Sequence, residues 1–138
     1  MPIWARQAAV IPVREDRLCL VTSSSGRRWV LPKGQIDPGH TPGEAALVEA
    51  WEEAGLVGVL DPEPVGTYIY EKLGRELHVL VYRMTVTEVR DDWPERYMRA
   101  RVWLSVDEAI DRIDEPSLRD LLRLAFHVKH PDRLTLTA

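Results

Sequence analysis

The sequence predicts an α/β domain in which a mixed sheet lies between helices, and three observations carry that expectation. Short β-rich apolar runs stand on both sides of one helix with strong start and stop signals, further helical signals close the chain, and strands and helices lack regular βαβ alternation. The 138 residues amount to about one average domain. With no internal repeat and no linker, residues 1–138 read as a single domain, with a poorly anchored tail from about 128.

Ala8 to Val13 and Leu18 to Thr22 read as a hairpin around the polar turn Arg14-Glu-Asp-Arg17, and Ser23 to Arg28 as an exposed loop. Trp29 to Leu31 is a short strand stopped by Pro32, and the Gly-, Pro- and Asp-rich stretch up to His40 reads as irregular. Thr41-Pro-Gly-Glu44 opens the central helix: Thr41 caps, Pro42 suits the first helical position and Glu44 completes a capping box. That helix runs to Ala54, where Gly55 supplies a left-handed cap, and Leu56 to Leu60 resumes extended chain. Val65 to Leu73 and Glu76 to Val86 flank Gly74-Arg75 as a second hairpin, Glu88 to Tyr97 reads as a polar loop, and Arg99 to Leu104 as the last strand. Ser105 to Glu108 repeats the capping box for a short helix ending near Ile113. Pro116 and Ser117 start another, with Leu118, Leu121, Leu122 and Ala125 on one face.

Composition narrows the function classes. With 45% hydrophobic and 29% charged residues, and no apolar stretch near the roughly 20 residues that span a bilayer, disorder, collagen and membrane insertion are excluded. A formal net charge of −4 argues against a stable nucleic-acid partner, which needs phosphate neutralisation, but leaves room for a small phosphorylated metabolite held by a local basic patch. No secretory signal is visible, so a cytoplasmic location is the expectation. Cys19, alone in an apolar run, reads as core; His78 reads as a satisfied strand histidine. Oligomeric state leaves no mark in the sequence.

Within the central helix Glu49, Glu52 and Glu53 stand at i, i+3 and i+4, an arc of roughly 100°, with Leu47, Ala50, Trp51 and Ala54 opposite as the core face. A solvated acidic face is the plain reading of such a cluster. The context points elsewhere: a Gly/Pro-rich loop precedes the helix, and Arg27, Arg28 and Lys33 precede that loop. Carboxylates for a hard cation beside basic groups for phosphate are what metal-assisted phosphoryl chemistry requires. The stretch Gly34-Gln-Ile-Asp-Pro-Gly-His-Thr41 nearly fits a P-loop, but His40 stands at its Lys, Pro38 removes a backbone donor and Asp37 puts negative charge where phosphate is cradled.

Gly34 to Leu56 resembles the Nudix box, G-x5-E-x7-R-E-U-x-E-E-x-G-U, with U a bulky aliphatic residue; Gly34, Glu49, Glu52, Glu53, Gly55 and Leu56 are in register. His40 stands where the family has Glu, Val48 where it has Arg, and Ala50 is a small version of the aliphatic position. The resemblance implies an α/β/α sandwich and hydrolysis of a phosphoanhydride with Mg2+ or Mn2+. It makes Glu52 and Glu53 the main metal ligands, Glu49 a ligand or water-orienting base, and the Gly34 carbonyl a further ligand. Glu95, in the loop with Trp93 and Pro94, is a candidate extra ligand or base, in competition with Glu88, Asp91 and Asp92 and with a solvated role.

Arg27, Arg28, Lys33, Arg99 and Arg101 are candidate phosphate clamps, the last two placed on one strand face by alternation; surface charge is the plain alternative for each. Trp29, Trp51 and Trp103 read as core, and Trp93 as a residue that could cover the site. The family's Arg orients the first helix Glu, which Val48 cannot do, so the departures at His40 and Val48 imply reduced activity. Glu44 could replace the missing acid, although the capping box explains it more simply. Wording around the box, Arg28-Trp-Val-Leu-Pro-Lys-Gly34 before it and Asp92-Trp-Pro-Glu95 with Arg99 to Trp103 after it, looks like the diphosphoinositol polyphosphate and diadenosine polyphosphate hydrolase branch. Alternatives are a nucleoside triphosphate or nucleotide-sugar pyrophosphatase, and a Nudix-fold binding or regulatory module with little turnover.

Overall fold

The computed structural model describes residues 4–127; the tail expected from about 128 lies outside them, as does His130. In chain order the elements are β1 (Trp4–Arg14), β2 (Arg17–Thr22), β3 (Trp29–Val30), β4 (Lys33–Gln35), α1 (Pro42–Ala54), β5 (Leu56–Leu60), β6 (Gly66–Lys72), β7 (Arg75–Val89), β8 (Arg101–Leu104), α2 (Val106–Arg112) and α3 (Pro116–His127). The sheet is mixed, as expected. β1 and β7 run parallel at its centre, in a register that sets Ala8 opposite Leu80 and Val13 opposite Thr85. The remaining pairings are antiparallel: β4 with the first half of β1, β2 with its end, β8 and β3 with β2, β6 with the first half of β7 and β5 with its second half.

Strand alternation divides the central residues between two cores. Ala9 and Ile11 of β1 and Leu18 and Leu20 of β2 pack with Leu118, Leu121 and Leu122 of α3 and Ala109 and Ile110 of α2. Ala8, Val10, Cys19 and Val21 project to the other face, onto Ala45, Ala46, Ala50 and Ala54 of α1. These are the three layers of an α/β/α sandwich. Both anticipated capping boxes form. Thr41 Oγ1 accepts from Glu44 N at 3.1 Å while Glu44 Oε1 accepts from Thr41 N at 2.8 Å, and Ser105 and Glu108 repeat the exchange. The bonds at Thr41 hold the Glu44 carboxyl below its ordinary range, so this group serves the cap. Gly55 takes φ +68° and closes α1 with N–H bonds to Ala50 O and Trp51 O.

Four expectations are corrected. The segment after Pro32 is not wholly irregular, because Lys33–Gln35 re-enters the sheet against Gln7 to Ala9; Pro32 still contributes its carbonyl to Val10 N, at 3.1 Å. Gly and Pro weigh against a strand locally, and a three-residue pairing with a distant partner overrides them. Leu47 does not face the core: it is 36% exposed, and four alanines make that face instead. β7 continues to Val89 through the start of the expected polar loop because β5 offers it a partner, Leu56 opposite Val89. The last strand begins at Arg101 rather than Arg99. No helix among the described residues is long and apolar enough to cross a membrane.

Candidate active site

The alanine face of α1 positions the site. Ala46, Ala50 and Ala54 are fully buried, and such small side chains let the helix lie close over β1 and β4. Gly34 of β4 faces Glu49, so closely that a Cβ at position 34 would overlap the Glu49 carboxyl. Any side chain there would displace the Glu49 carboxyl, which ties the first residue of the box motif to its first helix carboxylate.

Glu53 is the buried acid of the cluster, 6% exposed. Its Oε1 accepts from Lys33 N at 3.2 Å and its Oε2 from Arg99 NH2 at 3.2 Å. Arg99 donates from Nε to Glu95 Oε1 at 2.9 Å and from NH1 to Thr22 O at 2.9 Å, so one guanidinium joins α1, the end of β2 and the segment before β8. The expectation that all three helix acids lie on one face away from the core is thus corrected for Glu53, whose burial is offset by a donor to each carboxylate oxygen, Lys33 N and Arg99 NH2.

The same segment caps α1. The last carbonyls of a helix lack intrahelical donors, and here donors from residues 90–101 supply them. Glu95 N reaches Glu52 O at 3.0 Å, Trp93 Nε1 reaches Glu53 O at 3.1 Å, Arg101 NH1 reaches Ala54 O at 2.6 Å, and Arg90 N reaches Gly55 O at 2.9 Å. Arg101 also lies 4.1 Å over the Trp93 ring, and a cation at a helix C-terminus complements its dipole. This docking sets Glu95 beside Glu52 and Glu53.

The electrostatics show a surplus of negative charge. Burial first, then Glu53 and Glu52, push the Glu49 carboxyl up to about 8. Burial also raises Glu53, against the pull of Arg99 and Lys33. Burial lowers the Lys33 ammonium, with Glu53 acting in the opposite direction. Beside the cluster a cavity of about 390 Å³ is lined by Glu53, Arg28, Lys33, Arg99 and Lys72, with Trp29, Tyr70 and Glu115 among its walls. Lys33 Nζ lies 5.1 Å over the Tyr70 ring, and Tyr70 OH donates to Gln7 Oε1 at 3.0 Å.

The structure therefore gathers Gly34, Glu49, Glu53, Glu95 and Arg99, with Glu52 close enough to raise Glu49, and sets Arg28 and Lys33 on the adjoining cavity. Arg27 is exposed in the loop before β3 and does not line that cavity, and Arg101 is turned to the helix end. Cys19 lies in the α1-side core, its thiol pushed up to about 12 by burial, and His78 faces Glu76 at 3.2 Å. Sequence reasoning missed Lys72, Tyr70 and Gln7. Alternation along β6 sets Tyr68, Tyr70 and Lys72 on one face, but only the pairing of β6 with β7 and of β7 with β1 brings that face to Lys33.

Oxygen donors in surplus, with a glycine backbone at the carboxylate, are the ligand chemistry of a hard divalent cation. Among the described residues no three His, Cys, Asp or Glu side chains are already drawn into a metal-holding group. The donor set fits such an ion; Glu53 and Glu95 meanwhile point at Arg99.

A family model described as the NUDIX domain matches residues 4–125. The chain belongs to the Nudix family. Within it, the chain is 39% identical over 100 residues to diphosphoinositol polyphosphate phosphohydrolase 3-beta of Bos taurus, covering 70% of this chain and 60% of that protein. It is equally similar to diphosphoinositol polyphosphate phosphohydrolase 2 of Homo sapiens, covering 70% and 54%. The chain thus spans just over half the length of these relatives. Nudix hydrolase 16, mitochondrial, of Arabidopsis thaliana is 30% identical over 126 residues, covering 86% and 69%. Among solved structures the Ap4A hydrolase of C. elegans shares the Nudix fold with a TM-score of 0.74 at 24% identity, covering 93% of this chain and 98% of that one. In the Nudix frame both departures lie at the surface: Val48 is 40% exposed, and His40 is exposed with its backbone N–H on Asp37 O at 3.1 Å.

Proposed function

We propose that this Nudix protein hydrolyses a phosphoanhydride bond in a small, phosphate-rich metabolite, with Mg2+ or Mn2+ held by Glu49, Glu52, Glu53, Glu95 and the Gly34 carbonyl. The observation that carries the reading is that Glu53 belongs at once to the carboxylate cluster and to the wall of the basic cavity, which puts candidate metal ligands and candidate phosphate ligands at one place. A bound divalent cation would offset the charge of the anhydride and activate water for attack on phosphorus. Glu49, not engaged by Arg99, would orient or deprotonate that water once a bound cation offsets the burial and neighbouring carboxylates that hold its own carboxyl up to about 8. Arg28, Lys33 and Lys72 hold the non-reacting phosphates, and the buried Glu53 fixes the floor between them.

Diadenosine polyphosphates and diphosphoinositol polyphosphates stand first as substrates, supported by the names of the relatives and by four cationic side chains on one cavity, Arg28, Lys33, Lys72 and Arg99. A nucleoside triphosphate or nucleotide sugar is the second enzymatic reading. Val48 favours a third, a binding module with little turnover, because it cannot donate a hydrogen bond to Glu49. We place the protein in the cytoplasm, where a lone reduced cysteine is ordinary. Rates on a panel of these substrates with Mg2+, Mn2+ or a chelator test the proposal. Metal-dependent release of phosphate or nucleotide is expected, and ligand binding without turnover would select the module.

A further inference from the structure

We propose that Asp114 and Glu115 are specificity-determining residues: they reserve one end of the basic cavity for an uncharged, hydrogen-bond-donating group, the nucleoside of a dinucleoside polyphosphate, and turn away a ring phosphorylated on all sides. The inference rests on the hydrolase reading above and decides between its two leading substrates. The cavity changes sign along its wall. Arg99 and the Lys33 backbone meet the Glu53 carboxylate, and Arg28 and Lys72 line the same space. Asp114 and Glu115 line it from the turn between α2 and α3. Ser117 pins that turn to β6, its Oγ donating to Ile69 O at 2.8 Å, next to Tyr70 in the chain. Lys33 Nζ lies 5.1 Å over the Tyr70 ring, so this ring joins the cationic end to the acidic one. Burial raises the Tyr70 hydroxyl, and Arg28 and Glu115 act on it in opposite directions. No ion pair among the described residues includes Asp114 or Glu115, so both carboxylates line the cavity without a cationic partner. A linear phosphate chain can lie along the four cations and leave its nucleoside to the other end. There the hydroxyl and amino groups of the nucleoside donate to carboxylates, which only accept, and Trp29, Leu77 and Leu118 suit the face of a flat ring. A diphosphoinositol polyphosphate carries phosphates around its ring, and in a cavity of about 390 Å³ a pose with its anhydride at Glu53 turns others toward Asp114 and Glu115. Like charge there costs binding, and such a repulsive element is how one ligand is told from another.

Calorimetric titration in Mg2+ with methylene-bridged, non-hydrolysable analogues of a dinucleoside tetraphosphate and of a diphosphoinositol polyphosphate reads the discrimination. Wild-type protein is expected to bind the dinucleoside analogue more tightly. With Asp114→Asn and Glu115→Gln combined, the diphosphoinositol analogue should tighten by about tenfold, the size of effect that two partly exposed charges supply, while the dinucleoside analogue holds or weakens. A general loss of negative charge would tighten both ligands alike, so the divergence singles out the local role. Each single variant should give part of the same shift, which keeps the test open if the double variant fails to fold, and Glu115→Lys should carry it further. A wild-type preference for the diphosphoinositol analogue, or an unchanged ratio of the two affinities in the variants, would overturn the proposal. Wild-type protein that shows the expected preference but hydrolyses neither parent compound would contradict the proposed activity and not this inference; wild-type protein that binds neither analogue would sink both.

Discussion

Helices α1 and α3 cover opposite faces of the same sheet with different side chains. α3 inserts Leu118, Leu121 and Leu122, and α2 adds Ile110 beside them. α1 inserts alanines and carries a buried glutamate at its end. A buried leucine contributes about 1.5–3 kcal/mol by leaving water, several times what a methyl group can. Helix α3 therefore buries more apolar surface than α1, whose face gives up apolar burial for close approach to β4 and a place for Glu53. Changes on the two faces should separate accordingly.

The largest effect is expected at Glu52. Glu52→Gln should lower metal-dependent turnover by about 10²–10⁴-fold, the range for loss of an essential ionisable group, with the circular dichroism spectrum unchanged because Glu52 is only half-buried. Leu122→Ala should do the reverse. It removes a fully buried side chain at a cost of about 2–5 kcal/mol, read as a lower urea midpoint, while kcat of the folded protein holds. Glu53→Gln should show both losses, because it leaves the buried Arg99 with one carboxylate fewer; about 1–3 kcal/mol of stability is the expected cost. If Glu53→Gln were inactive yet fully stable, the contrast between the faces would be sharper than the burial of Glu53 implies.

The pH dependence of the metal-free protein reports the crowding on α1. Glu49 has an ordinary value of 4.5 and is pushed up to about 8 in the folded state. Between those values the folded protein keeps a proton that the unfolded chain has released, so this group makes stability fall as pH rises from 4.5 toward about 8. Urea midpoints across that window should decline, and Glu49→Gln should flatten the decline; an unchanged slope in the variant would assign it to other groups. The smallest effect is expected at Val48. An exposed ion pair is worth at most about 1 kcal/mol, so Val48→Arg should change kcat by no more than about fivefold, and a larger gain would mean that the missing arginine at position 48 limits the reaction.

The contrast between the helices also explains what was legible in the sequence. Caps are local, so α1 and α2 could be read from Thr41, Glu44, Gly55, Ser105 and Glu108, and the leucine spacing of α3 is a strong periodic signal. The face of α1 was harder to assign. Alanine is weakly apolar, and Leu47 drew the expected core face toward itself although the sheet lies on the alanine side. Motif spacing located Gly34 and the three glutamates, but the burial of Glu53 depends on Arg99, Lys33 and Thr22, which are distant in sequence. The same holds for Arg101. Its charge looked suited to phosphate, and only the end of α1 reveals a carbonyl at 2.6 Å in want of a donor.

Hydrolysis of a dinucleoside polyphosphate with Mg2+, measured side by side on wild type, Glu52→Gln and Leu122→Ala at a temperature where all three are folded, tests the central claim most directly. The account predicts turnover by wild type and Leu122→Ala at similar rates and its near-complete loss in Glu52→Gln. Equal rates in wild type and Glu52→Gln would contradict the assignment of the α1 carboxylates to the chemistry.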